Sequence, residues 1–96
     1  MANAAFGMGT EAVVILQVTG VTLALKGGAD HVFAESLPPL KDLMEGFVEA
    51  GGRLLVCSPC LAARKITADE LIDGAEIIAR ATVIAEATSA RATFNY

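Results

Sequence analysis

Both cysteines of this chain fall in one turn, Cys57-Ser58-Pro59-Cys60, which follows the apolar run Arg53-Leu54-Leu55-Val56 and leads into Leu61-Ala62-Ala63-Arg64. A strand-like run that breaks at Ser-Pro and continues into helix formers predicts Ser58 as an N-cap. Pro59 then becomes the first helical residue, where its missing N–H costs nothing. This places Cys57 at the positive end of a helix, where unpaired N–H groups and the helix dipole favour an anion and lower a thiol pKa. Cys60 and Arg64 are spaced to share a helix face, so the guanidinium can steady a thiolate or persulfide anion. Against this chemistry stands the bland reading of each cysteine as a small buried core residue, and of Arg64 as a solvated charge at a helix end.

Two cysteines this close cannot staple a fold, because the loop they would close is too short to restrict the unfolded chain much. They are redox-active, metal-binding or incidental. Other chemistry is sparse. No Gly-x-Ser-x-Gly, phosphate loop or paired-histidine spacing occurs, and the glycine pairs 27-28 and 51-52 do not form a dinucleotide fingerprint, so no organic cofactor is expected. His31, the single histidine, reads as a surface or capping residue, and Lys26 as solvated or as reaching the site from a neighbouring helix.

The turn needs elements to hold it. Ninety-six residues make one domain, residues 1–96, with one core and one expected site. The hydrophobic content of 54% exceeds the ~45–50% usual for soluble domains, and the excess predicts apolar surface buried between subunits. With 11 Asp and Glu against 7 Lys and Arg and no basic cluster, nucleic acid is not an expected partner. The longest apolar segment, 12–25, is interrupted by Gln17, Thr19, Gly20 and Thr22 and falls short of the ~20 residues of a membrane helix. The opening residues lack a signal-peptide pattern, so a cytoplasmic protein without membrane contact is expected.

Along the chain, an alanine-rich helix ends at Gly7 and Gly9, and 12–18 reads as a buried strand leaving through Thr19-Gly20. Residues 21–33 have helical spacing (Val21, Leu25, Ala29, Val32, Phe33), weakened at Gly27-Gly28. Ser36, Pro38 and Pro39 open a helix whose stripe Leu40, Leu43, Met44, Phe47, Val48 is core, closed by Gly51-Gly52. After the strand 53–57 and the cysteine turn, Thr67-Ala68-Asp69-Glu70 is a capping box starting a short helix that stops at Gly74. A strand over 75–78, a helix over 81–90 and an alternating strand over 91–96 complete the pattern. Alternating strands and helices predict a parallel sheet covered on both faces. Ligands of such sheets sit beyond the carboxyl ends of the strands, so Thr19-Gly20 and the cysteine turn should be neighbours.

At these residues the chain resembles the DsrE/DsrF-like sulfur-relay family, which includes Tus-type sulfur carriers and YchN-like proteins. The likeness runs through Gly51-Gly52-Arg53-Leu54-Leu55-Val56-Cys57-Ser58-Pro59-Cys60-Leu61-Ala62-Ala63-Arg64-Lys65-Ile66 and Leu71-Ile72-Asp73-Gly74-Ala75-Glu76, with support from the 12–17 strand and Gly20-Val21. It implies a three-layer α/β/α, flavodoxin-like fold with a five-stranded parallel sheet, and oligomers built from dimers or trimers. It also implies a persulfide-carrying cysteine at Cys57. The family's opening strand and its Gly- or Pro-containing loop have no counterpart ahead of the first helix, so a DsrE-like fold lacking that strand is expected. The chain is then either N-terminally shortened or completes its sheet in another way.

The leading functional expectation is a sulfur carrier or sulfurtransferase in which Cys57 takes sulfur from a donor protein and presents it to an acceptor. Cys60 takes part beside it, and Arg64, Ser58, Thr19 and Gly20 support the pair. If Cys60 instead attacks a loaded Cys57, sulfide leaves and a disulfide remains, which describes a dithiol redox protein. A homo-oligomeric subunit (dimer, trimer or hexamer) with idle thiols is the second class, and a Cys₄ zinc site across a two-fold axis the third.

Overall fold

Leu54, Leu55, Val56 and Cys57 are all buried, which an all-apolar strand requires when both of its faces are covered. The computed structural model describes residues 2–9, 11–30 and 38–94 and makes 53–57 the centre of a three-stranded parallel sheet. The strands are β1 (Val13–Leu16), β2 (Arg53–Cys57) and β3 (Ala75–Ile78), in the order β1-β2-β3. Ile15 pairs with Leu55 and Leu16 with Val56, while Val56 faces Ile77 and Cys57 faces Ile78.

Alternation along β2 sends Leu54 and Val56 to one face and Arg53, Leu55 and Cys57 to the other. On the first face Val56 packs with Val21, Ala24, Leu61 and Leu71, residues brought by a 3-10 segment (Val18–Ala24), helix α3 (Ser58–Ala63) and the chain before β3. Helix α4 (Arg80–Ser89) covers the second, where its Glu86 receives the Arg53 guanidinium. Helices α1 (Ala2–Gly7) and α2 (Leu40–Glu49) complete the elements, joined by a hydrogen bond from Asn3 Nδ2 to the Leu43 carbonyl. Val21, Leu55 and Val56 are fully enclosed, each contributing about 1.5–3 kcal/mol of apolar burial. The result is the expected α/β architecture with a parallel sheet.

The helices flanking β2 end in the same way. After α2, Gly51 at φ 96 directs its N–H to the Val48 carbonyl, and the Gly52 N–H reaches Phe47. After α3, Lys65 at φ 55 bonds Ala62 and Ile66 bonds Leu61. Both are Schellman closures, with glycine favoured in the first and a lysine tolerated in the second. Of the predicted α2 stripe, Phe47 is buried, Leu40, Met44 and Val48 are half-buried, and Leu43 is 37% exposed.

Four local expectations are corrected. The buried strand expected over 12–18 is the shorter Val13–Leu16, which stands at the end of the described sheet with Val13 37% exposed and Val14, Ile15 and Leu16 half-buried, because strand β2 covers it on one side only. Residues 21–30 form no α-helix. The β-branched and glycine-containing stretch Val18-Thr19-Gly20-Val21-Thr22 winds as a 3-10 segment, with the Thr22 hydroxyl bonded to the Thr19 carbonyl, and Gly27 at φ 81 turns the chain. Val32, Phe33, His31 and Ser36 lie outside the described residues. The Thr67 capping box forms, but it caps a single 3-10 turn, Ala68–Glu70. The chain leaves that turn because Leu71 bridges to Leu25 and Ile72 N–H bonds the Ala24 carbonyl, tertiary pairing that outcompetes a short helix. Residues 91–94 are exposed and irregular rather than a strand, with Phe94 70% exposed, and Asn95 and Tyr96 lie outside the described residues. Alternation alone did not supply those residues with a face to cover, so the sheet has three described strands where the resemblance implied five.

Candidate functional site

β1 ends at Leu16 beside Val56, so the segment after β1 and the turn after β2 emerge from one edge of the sheet. There the Val18 N–H meets the Cys60 sulfur at 3.1 Å. Val18 is held at φ 55, in the left-handed region that a β-branched residue rarely occupies, so strain accompanies the placement of this donor. Val18 itself is 60% exposed, and packing of its side chain does not account for the conformation.

Cys57 closes β2, is 4% exposed, and is the N-cap residue of α3. Ser58 is therefore the first helical residue and makes no capping hydrogen bond, and Pro59 lies within the first two positions. The helix starts one residue earlier than Ser-Pro chemistry predicts, because strand β2 runs straight into it. Cys60 is half-buried in the first turn of α3. Its thiol is held below the ordinary value, first by the Val18 N–H and next by a hydrogen bond from the Cys57 thiol. The positive charges of Arg64 and Arg80 act in the same direction, and partial burial opposes them. The groups that favour an anion thus converge on Cys60, the second cysteine of the turn.

Arg64 ties this edge together. Its Nη1 donates to the Cys60 carbonyl at 3.3 Å and its Nη2 to the Thr19 hydroxyl at 3.4 Å. Thr19 is thereby joined to the cysteine turn, whereas Gly20 closes its own turn by an N–H bond to Gln17. Lys26 does not reach the site: its N–H bonds the Glu70 carbonyl and its charge favours the Asp69 carboxylate. His31 lies outside the described residues. Among the described residues no three His, Cys, Asp or Glu side chains converge as a metal cluster would require.

The two cysteines line an open cleft of about 480 Å³ with Gln17, Val18, Arg80, Val83 and Ile84. Val18 and the α4 residues are absent from the sequence-level site. For Arg80 a signal existed, since a cation at the start of a predicted helix opposes the helix dipole. For Val18 none did, because residue type argues against its backbone conformation.

The structure is a parallel α/β domain with a cysteine pair at the carboxyl edge of its central strand. Residues 1–96 match the DsrE/DsrF-like family, and the chain belongs to it. That membership carries a sulfur-relay-related role at the level of the family. The uncharacterized protein MJ0760 of Methanocaldococcus jannaschii is 32% identical over 84 residues, which cover 88% of this chain. The match spans 30% of that protein's length. No helix among the described residues is long and apolar enough to cross a membrane.

Proposed function

We propose that this chain transfers sulfane sulfur on the Cys57/Cys60 pair. The observation that carries the reading is the Cys60 sulfur, which accepts the Val18 N–H at 3.1 Å and lines one cleft with Cys57 and Arg80. Cys60 thiolate attacks the outer sulfur of a donor persulfide, forming Cys60–S–SH and releasing the donor as its thiolate. An acceptor thiolate then attacks that outer sulfur and restores Cys60. The family likeness favours Cys57 as carrier, but Cys57 is the more enclosed of the two and serves here as hydrogen-bond donor to its neighbour.

A second reading follows from the contact between the two thiols. When no acceptor is present, Cys57 as thiolate attacks the inner sulfur of Cys60–S–SH, hydrosulfide leaves, and a Cys57–Cys60 disulfide remains. The proposal also includes assembly into a homo-oligomer. The exposed Ile77, Met8 and Phe94, which lie outside the cysteine cleft, supply apolar surface for it.

Incubation of the full chain with a low-molecular-weight persulfide, followed by intact-mass and peptide analysis, tests the reading. The expected result is a gain of one sulfur atom at the pair in the unaltered chain, loading reduced to background in Cys60→Ser, and a longer-lived adduct in Cys57→Ser. Absence of loading in the unaltered chain would reject sulfur transfer and leave an oligomeric subunit with idle thiols.

A further inference from the structure

Arg80 is the first residue of α4, where the helix dipole is positive and a guanidinium works against the helix. Among the described residues no carboxylate pairs with it, the ion pairs being Lys41–Asp30, Arg53–Glu76 and Arg53–Glu86. Its place is on the wall of the cysteine cleft, which is otherwise built from Gln17 and the apolar Val18, Val83 and Ile84. Arg64, the other cation near Cys60, is engaged by the Cys60 carbonyl and the Thr19 hydroxyl. Arg64 keeps its charge, but its N–H groups are committed to those two neutral acceptors, whereas Arg80 lines the cleft itself with no side-chain hydrogen bond or ion pair among the described residues.

From this arrangement we propose that Arg80 is a substrate-binding residue that makes the cleft select low-molecular-weight sulfur donors carrying negative charge near the transferable sulfur. The inference rests on the sulfur-transfer reading above. In that reaction the attacking thiolate and an anionic donor repel each other, and a guanidinium between them offsets the repulsion. The atoms balance: Cys60–S⁻ and R–S–SH give Cys60–S–SH and R–S⁻, where R bears the additional negative charge that Arg80 holds. No oxidant or reductant is consumed.

Alkylation of Cys60 by iodoacetate, an anion, and by iodoacetamide, which is neutral, reads the charge of the cleft without any sulfur chemistry. Both reagents consume the same thiolate, so its population cancels in the ratio of their rates at a given pH. Peptide mass analysis of the full chain should show that ratio falling about threefold in Arg80→Gln and recovering in Arg80→Lys. An unchanged ratio overturns the assignment. A second arm compares loading from glutathione persulfide, an anion, with loading from an uncharged alkyl persulfide, and Arg80→Gln should slow the former more than the latter, because the loss of thiolate population is common to both donors. Equal slowing of both donors would overturn the selectivity while leaving sulfur transfer intact. A lowered alkylation ratio with no loading from either donor would overturn the substrate assignment together with the sulfur-transfer reading beneath it. If Arg80→Gln does not fold, charged methanethiosulfonates on the unaltered chain decide: a ratio of anionic to cationic modification rates at Cys60 above that of a free small-molecule thiol under the same conditions supports the proposal, and a ratio at or below it overturns it.

Discussion

Arg53 and Arg80 mark the two ends of the layer that β2, β3 and α4 share, and their surroundings are opposite. Arg53, at the amino end of β2, lies 3.5 Å from Glu76 on β3 and 2.6 Å from Glu86 on α4. The Glu86 hydrogen bond and charge, with Glu76 adding to them, hold its proton more firmly than usual. Arg80, at the carboxyl end, has no carboxylate partner among the described residues and faces a cleft with two thiols. One arginine clamps two elements together, while the other is left without a partner that would stabilise the fold. The same division runs through the packing. At the amino edge Gly52 meets the buried Phe47 ring, whereas at the carboxyl edge a strained Val18 aims its N–H at a sulfur. One edge carries the ion pairs and the Phe47 contact, and the other carries the cysteine pair.

The comparison breaks most readily at Gly52. A Cβ there would stand 2.5 Å from the Phe47 ring, which is buried and has little room to retreat, so Gly52→Ala should cost about 1–3 kcal/mol in denaturant unfolding. A neutral result would show that the amino edge is loosely packed. The carboxyl edge should respond in the opposite sense. Val18→Gly removes the left-handed penalty and keeps the N–H, so stability should rise by up to about 1 kcal/mol, the penalty being partly offset by the backbone entropy of glycine. In that variant the alkylation midpoint of Cys60 should stay below the ~8.5 of a free thiol, because thiolate forms once pH rises past the lowered pKa. A loss of stability in Val18→Gly would remove the argument for strain. The smallest effect belongs to Glu86→Gln, which weakens a partly exposed ion pair and should lower Tm by a few degrees at most without changing sulfur loading. Loss of loading in that variant would show that the two edges are coupled through α4.

Much of this was legible in residue types. The apolar run Leu54-Leu55-Val56-Cys57 reads as a strand, and the Cys-Ser-Pro-Cys turn announces a helix start because within a helix proline fits only the first turn, whereas the two-sided burial expected of 12–18 belongs to 53–57. The capping box at Thr67 forms as its spacing dictates, yet the helix it should open lasts one turn, since Leu71 and Ile72 find backbone partners on another segment. Residues 91–94 alternate like a strand but stay exposed, because periodicity describes a face and does not provide what covers it.

By itself the sequence determined the α/β class, the strand over 53–57, the cysteine turn and the family, since each depends on residues adjacent in the chain whose chemistry acts locally, whereas the central place of that strand came from the sheet order. Which cysteine is favoured as an anion was decided by the tertiary structure alone. The Val18 N–H comes from 42 positions away, and the strand pairing of Leu16 with Val56 is what delivers it to Cys60. Arg80 reaches the same cleft because Cys57 and Ile78 are neighbours in the sheet, so α4 starts beside the turn that holds both thiols. Helix-terminus electrostatics acts over one turn and pointed to Cys57, whereas a hydrogen bond between the segments that follow two paired strands acts wherever the sheet register places it, and here it lands on Cys60.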